Sequence, residues 1–425
     1  MNTKYQDEIK YRNQTKCHPE QSLSRFYRER RSRRICGLLF RCNPSPTVMR
    51  LMRKLSVIAT LCALAATVPA YAQTASASST QPIRVVIVGL VHGHVKGFLT
   101  ALPKNSAAQL VGIVEPNTTL AHQYATQYHL DPSLFSTDLE STLTTKHPDA
   151  VLVYTTIQDH RRVIEAAARH NISSMVEKPL STTMEDALAI RRAAREHHVN
   201  VLVNYETTWY TSNTEAIHQA EAGKLGTLRK VVVHDGHEGP KEIGVGPEWL
   251  PWLTDPVQNG AGALFDFGCY GADLMTVLMH GKAPESVTAV AQTDKPGTYP
   301  HVDDDATVIL HYPGTQTVLM PSWNWPFSRK DMEVYGATGY VITVGPDGLR
   351  TRYKGEKTES QATAPPLPAD QHDSLAYLAA VLHGQVKPQG DLSSLDTNLV
   401  VMQILDAART SAQTGRTVQL KPLTQ

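Results

Sequence analysis

Cysteine is nearly absent from most of this 425-residue sequence: Cys17, Cys36, Cys42 and Cys62 precede residue 72, and Cys269 stands alone after it. A disulfide framework is thereby excluded from the body of the chain. Cys269 reads either as a nucleophilic thiol or as a small packed residue beside glycines. Long apolar runs are missing too. The stretch Leu55 to Val68 is shorter than the roughly 20 residues that cross a bilayer. Clustered positive charge is also lacking in the body. The first 72 residues carry 14 Lys and Arg against 4 Asp and Glu; subtracting these leaves 27 basic and 36 acidic residues, a balance of −9. No later Lys/Arg cluster approaches the run Arg28 to Arg34, which argues against a nucleic-acid partner. With 41% hydrophobic and 19% charged residues, the composition is that of an ordinary globular protein, and the length calls for two cores plus leader sequence.

The leader reads as an address. From Met49 or Met52 come Arg50, Arg53 and Lys54, the apolar run Leu55 to Val68, then Ala70-Tyr71-Ala72 before Gln73. A basic start, a short apolar centre and a small-x-small site make a signal peptide over 49–72. Residues 1–48 then precede the true start, and the Ser, Ala and Thr of 73–80 form a tether rather than a buried helix. The expected protein is exported, periplasmic or secreted, with no membrane span after cleavage. Ser32-Arg33-Arg34 ahead of Ile35 to Phe40 offers a competing twin-arginine route, which would export a folded protein with its cofactor inside.

Beyond the tether, short β-branched runs alternate with helical stretches. Ile83 to Val88, Leu110 to Val114, Ala150 to Tyr154, Ser174 to Val176 and Val199 to Val203 read as strands. Between them, Val95 to Leu102, Thr119 to Tyr128, His160 to His170 and Met184 to Glu196 read as helices. This predicts an α/β Rossmann domain over 81–203, a doubly wound parallel sheet. Its first turn reads Gly89-Leu90-Val91-His92-Gly93-His94, where a dinucleotide fold usually has glycine at the first, third and sixth places. Only Gly89 fits; Val91 and His94 hold the other two places, and Gly93 falls one residue early. Two features compensate. The following helix presents free N–H groups to phosphate, and Glu115 ends the second strand where a carboxylate accepts from ribose hydroxyls, unless it is only an exposed turn carboxylate. Pro116, Asn117 and Thr118 bring no positive charge for a 2′-phosphate, which favours NAD over NADP.

Glu177-Lys178-Pro179 follows the fourth of these strands, so the lysine points into the crevice where open α/β sheets bind ligands. A second block, Gly260-Ala261-Gly262-Ala263-Leu264-Phe265-Asp266-Phe267-Gly268-Cys269-Tyr270-Gly271-Ala272-Asp273, is glycine-rich and carries an Asp-x-Gly-x-Tyr spacing. Together with Thr155, Thr156 and His160, these segments resemble the glucose-fructose oxidoreductase and inositol dehydrogenase (Gfo/Idh/MocA) family from about Ile83 to Leu420. The resemblance implies a nicotinamide cofactor held by Gly89, Val91, His92, Gly93, His94, Glu115, Thr155, Thr156, His160, Glu177 and Lys178. It also implies catalysis by Lys178, Asp266 and Tyr270. Tyrosine stands where the family more often has histidine, as in its glucose-fructose branch.

Removing hydride from an alcohol requires a base for the alcohol proton. Tyr270 is the candidate, its phenol brought toward neutrality by the Lys178 ammonium, with Asp266 holding a neighbouring hydroxyl. Taken singly, these residues also read as a core tyrosine, a surface lysine and a helix cap. Polar and aromatic residues at the domain boundary suit a sugar: Tyr205, Glu206, Trp209, His237, Trp249 and Trp252, with Asn204, Tyr210, His234 and Glu238 nearby. The spacing of His234, His237 and Glu238 is not that of a helical zinc site, so no metal is expected.

Past Gly226, the alternating runs Lys230 to His234, Ser286 to Gln292, Ala306 to Tyr312, Thr317 to Trp323, Met332 to Tyr335 and Tyr340 to Val344 predict an α+β domain over 204–422. It would carry a large open, mostly antiparallel sheet whose free face pairs with a second copy in a homo-oligomer. The function expected is NAD-dependent hydride transfer on a sugar or polyol hydroxyl. Two alternatives stay open: a glycoside hydrolase that retains its NAD and recycles the hydride, and a carbohydrate-binding protein without cofactor.

Overall fold

The computed structural model describes residues 81–423, so the assignments of leader, signal peptide and tether lie outside the described residues. Six runs, mostly of Val, Ile and Leu, form a parallel sheet: β1 (Ile83–Val88), β2 (Ala108–Val114), β3 (Phe135–Ser136), β4 (Ala150–Val153), β5 (Ser173–Glu177) and β6 (Val201–Asn204). Every residue of β4 and β5 is buried, as expected of strands covered on both faces. The covering helices include α1 (His94–Ala101), α2 (Thr118–Gln127), α3 (Leu139–Lys146), α4 (His160–Arg169) and α5 (Met184–Glu196). The order β3-β2-β1-β4-β5-β6 turns outward in both directions from β1 and β4, and the crevice at their carboxyl ends is where such sheets bind ligands.

Helix α6 (Thr211–Glu221) leads to a second sheet of β7 (Leu228–Gly236), β8 (Ser286–Gln292), β9 (Asp305–Tyr312), β10 (Thr315–Ser322), β11 (Arg329–Gly336), β12 (Gly339–Val344), β13 (Gly348–Tyr353), β14 (Ser360–Thr363) and β15 (Val418–Gln419). Its order is β14-β13-β12-β11-β7-β10-β9-β8-β15, antiparallel throughout except for the parallel pair β7 and β10. Buried and exposed residues alternate strictly along Ala306 to Tyr312 of β9, so one face is closed and the other open. Helices α7 (Gly268–Leu278) and α9 (Leu395–Thr414) cover the closed face, while α8 (Ser374–Leu382) returns to pack on the first sheet's core beside Leu90 and Val95.

One glycine sets the geometry of the crevice. A Cβ at Gly271 would lie 2.8 Å from Leu319 Cδ2 and 3.3 Å from Val233 Cβ, so its absence lets α7 settle onto β7 and β10. Tyr270, one residue earlier, is thereby brought over the end of β7. Among the described residues no helix is long and apolar enough to cross a membrane.

Candidate active site

The first turn depends on Gly89, whose φ is +84° and whose Cβ would fall 2.7 to 2.9 Å from Thr155 atoms. Only glycine meets both conditions. The turn is then tied down by backbone and carboxylate. The N–H of His92 donates to the carbonyl of Tyr154 at 3.0 Å, and Glu115 accepts from the N–H of Leu90 and of Asn117, both at 2.8 Å. Glu115 is therefore not an exposed turn residue: it is 4% exposed, and burial raises its pKa against the opposing pull of those two N–H donors. Beside it opens a cavity of about 400 Å³ lined by Glu115, Thr118, His122, Phe135, Ser136 and Thr137 among others. This is the place of a dinucleotide's adenosine end in a Rossmann fold.

The other places of the turn are filled by bulk. Val91 offers its carbonyl to Trp252 Nε1 at 3.2 Å, and a Cβ at Gly93 would strike the Trp249 ring at 2.0 Å. His92 is buried under Trp249, with ring centres 4.9 Å apart, and His94 meets the same indole at 5.4 Å. Burial, reinforced by His94 and Lys178, holds the His92 imidazole well below its usual pKa. The Trp249 ring, half-buried, lies over the glycine turn.

Glu177 and Lys178 leave the end of β5, joined to Pro179 by a cis peptide. Glu177 takes Nδ1 of His94 at 2.8 Å and Nδ2 of Asn204 at 3.1 Å, and Asn204 Oδ1 in turn accepts from Trp209 Nε1 at 3.1 Å. Trp209 thus supports this chain of bonds and faces Tyr377, with ring centres 5.6 Å apart. Nitrogen and oxygen atoms of His92, His94 and Glu177 lie within 4.8 Å of one another, but His92 Nδ1 accepts from the His94 N–H, so the group is wired as a hydrogen-bond chain. Thr155 packs on Gly89, and Thr156 precedes the turn leading into α4. His160, fully buried, bonds the Leu180 carbonyl at 3.2 Å, and burial lowers its pKa to about 4. It steadies the Lys178-Pro179-Leu180 bend through this bond.

Lys178 is 4% exposed, and its Nζ lies 2.5 Å from Asp266 Oδ1 and 3.0 Å from the Asp266 carbonyl oxygen. Trp323 Nε1 donates to the remaining oxygen, Oδ2, at 2.9 Å. Burial opposes both charges, yet each outweighs it for the other: the ammonium is held above and the carboxyl below its ordinary pKa. Asp266 therefore orients Lys178 and does not cap α7, whose N-cap is Phe267.

Tyr270 joins them from the second domain, its ring centre 5.2 Å from Lys178 Nζ. The expected phenolate is disfavoured here. Burial raises the Tyr270 pKa well above 10, and Glu206, Cys269, Asp266 and Glu177 add to the effect, while the Lys178 charge is spent on Asp266. Cys269 is buried with its thiol also pushed up by burial, which suits the packing role and not the nucleophilic one.

Of the remaining expected sugar ligands, His237 meets Phe267 edge-on at 4.9 Å, and Glu206 pairs with Lys330 and accepts from the Tyr210 hydroxyl at 2.5 Å. Both reach the crevice. Tyr205 does not: it is fully buried and donates its hydroxyl to Asn398 Oδ1 at 2.7 Å. Sequence reasoning missed Lys330, whose Nζ stands 4.9 Å from the Tyr270 ring centre, and Asp235 beside it on β7. Period-2 alternation along β7 would have placed Asp235 on the same face as Val231 and Val233.

Comparison with known proteins respects the same division. Residues 83–205 match the oxidoreductase family with an NAD-binding Rossmann fold, and residues 214–342 match the GFO/IDH/MocA C-terminal domain. The chain is 26% identical to human trans-1,2-dihydrobenzene-1,2-diol dehydrogenase over 67% of its length and 81% of the relative's. It is 24% identical to 1,5-anhydro-D-fructose reductase of Ensifer adhaerens over 74% and 92%. In three dimensions it resembles aldose-aldose oxidoreductase of Caulobacter crescentus, with TM-score 0.68, 23% identity and coverage of 80% and 100%. An inositol dehydrogenase homologue of Azotobacter vinelandii solved with NAD+ gives TM-score 0.68 at 19% identity, covering 80% and 98%. The chain belongs to the Gfo/Idh/MocA family of NAD-binding Rossmann-fold oxidoreductases.

Proposed function

We propose that this oxidoreductase transfers hydride between NAD and a hydroxyl-bearing carbon of a sugar or polyol, with Lys178 and Tyr270 as the groups that touch the reacting oxygen. The observation that carries the reading is their convergence: an ammonium from one domain and a phenol from the other stand 5.2 Å apart, Nζ to ring centre, in one crevice. The residues present fit the dinucleotide at both ends, through Glu115 and its cavity on one side and Glu177 and Lys178 on the other. Bound there, nicotinamide supplies hydride acceptance and return at the substrate carbon.

Lys178 and Tyr270 both keep their protons near neutral pH, because their pKa values are raised. They are therefore donors to a carbonyl oxygen, and they stabilise negative charge developing on it. Reduction is favoured near neutrality, and oxidation gains as rising pH weakens the hold on those protons. Names of the relatives, a diol dehydrogenase and a keto-sugar reductase, agree with CH–OH chemistry. NAD is preferred to NADP because the adenosine cavity carries the Glu115 carboxyl and no Lys or Arg in its lining.

Assembly and location have their own support. The open face of the second sheet exposes Val290, Ile309 and Val344, which favours pairing with a second copy. The leader favours export.

A test uses mature chain, residues 73–425. Heat-denatured protein is assayed for released NAD(H) by mass spectrometry, and native protein is offered NAD+ with neutral sugars and glycosides. NADH accumulation that is lost in Lys178→Met and Tyr270→Phe is the expected result. Hydrolysis without net NADH would favour the cofactor-retaining hydrolase, and failure to bind NAD at any concentration would overturn the proposal.

A further inference from the structure

Asp235 is the penultimate residue of β7, on the strand face that also carries Val231 and Val233. Val233 packs beneath Gly271 of α7, so this face looks toward the start of that helix and Tyr270. Across the strand pair, the register partner of Asp235 on β11 is Lys330. The ammonium groups of Lys330 and Lys178 stand 4.9 and 5.2 Å from the centre of the Tyr270 ring, so the phenol has a lysine on each of two approaches.

Asp235 differs from three neighbouring crevice carboxyls that are held by partners. Asp266 is held by Lys178 and Trp323, Glu206 by Lys330 and Tyr210, and Glu177 by His94 and Asn204. Asp235 is only 3% exposed, yet among the described residues no hydrogen bond reaches its side chain. Its oxygens are not among the buried polar atoms sealed without partners, so the carboxyl retains an opening into the crevice. A buried carboxyl left without a partner is costly, and such a cost is characteristically kept where a ligand completes the bonding. Burial raises its pKa well above the ordinary carboxyl value; Lys330 opposes this, Asp331 and Glu206 reinforce it, and Lys178 opposes it more weakly.

We infer that Asp235 and Lys330 form a second hydroxyl anchor in this crevice, binding the oxygen next to the one that reacts, so that the substrate is a neutral vicinal diol within a sugar or cyclic polyol. The inference rests on the hydride-transfer reading and specifies its substrate class. Charge sets the other side of the specificity. Lys178 and Lys330 are already matched by Asp266 and Glu206, so a carboxylated sugar would bring its charge against the Glu206 carboxylate, with both crevice lysines already paired among the described residues.

The test uses mature wild-type protein, Asp235→Asn and Lys330→Met, with NAD+ and four probes: D-glucose, myo-inositol, 2-deoxy-D-glucose and D-glucuronate. For the best neutral diol, Asp235→Asn should raise KM about tenfold or more with a smaller change in kcat, while its melting temperature stays level or rises. A KM within about twofold of wild type, or a lowered melting temperature with unchanged KM, would overturn the anchor. So would D-glucuronate turned over as well as D-glucose. Saturation-transfer NMR with the same probes separates this failure from that of the parent reading. If no probe reduces NAD+, hydride transfer to such substrates fails, while sugar binding by wild type that Asp235→Asn loses still supports the anchor. Absence of sugar binding by wild type, or binding unchanged by the substitution, overturns it.

Discussion

Removing Asp266 should cost far more stability than removing an exposed carboxylate, because Lys178 would be left as an unmatched buried cation. The two side chains are 8% and 4% exposed, their charged atoms lie 2.5 Å apart, and Trp323 Nε1 would lose its acceptor as well. Breaking one side of a buried pair typically costs about 3–5 kcal/mol. Asp266→Ala should therefore lose about that much by urea denaturation at neutral pH. The double replacement Lys178→Met with Asp266→Leu should recover at least ~2 kcal/mol of the summed single losses, since neither charge is then left alone. The pH dependence has a definite sign. Asp266 has a folded pKa below its unfolded one, so its contribution is present above about pH 4 and fades as pH falls through the lowered value. Lys178 has a raised folded pKa, so its share holds below about pH 10 and fades as pH climbs through the raised value. The gap between wild type and Asp266→Ala should thus be widest near neutrality and narrow in acid. Additive losses, or an Asp266→Ala protein within about 0.5 kcal/mol of wild type, would refute the pairing.

Other consequences are as specific. Gly89→Ala should lower the melting temperature sharply through its positive φ and the Thr155 clash, whereas Gly97→Ala, inside α1 with open space at its Cβ, should gain up to about 1 kcal/mol. Glu115→Ala removes the acceptor of two backbone N–H groups, so it should both destabilise the fold by about 1–3 kcal/mol and weaken NAD binding measured by calorimetry. Trp249 covers the turn where the proposed function places the pyrophosphate, so adding NAD+ should change tryptophan emission, and Trp249→Phe should remove most of that change. An emission change of equal size in the variant would contradict this placement.

The parallel sheet was legible because its strands are short, β-branched runs spaced by helices. The strand β3 and helix α3 escaped: one is two residues long, and the other buries only Thr142 and Leu143 among serines, threonines and charges. At the far edge of the second sheet, β14 is exposed at all four positions and shows no alternation to detect. In the site, the juxtaposition of Lys178 with Asp266 and Tyr270 could be read only through resemblance, since 88 residues separate the first pair. Protonation was not legible at all. Whether the Tyr270 phenol loses or keeps its proton depends on where the Lys178 charge is spent, and that is decided by Asp266 in three dimensions. Burial of the aromatic residues was equally hidden: Tyr205 suits a sugar by type, but it is fully buried with its hydroxyl bonded to Asn398, while the Trp209 N–H bonds Asn204 and the Trp249 ring lies over the glycine turn.

The central claim is tested most directly by tracking the hydride itself. Mature protein is given NAD+ and a neutral polyol deuterated at its carbinol carbons, and the recovered cofactor is weighed by mass spectrometry. Deuterium on the reduced cofactor, formed by wild type and reduced at least about a hundredfold in Lys178→Met, is the predicted outcome. Reduced cofactor without deuterium, or label transfer unaffected by Lys178→Met, would contradict it.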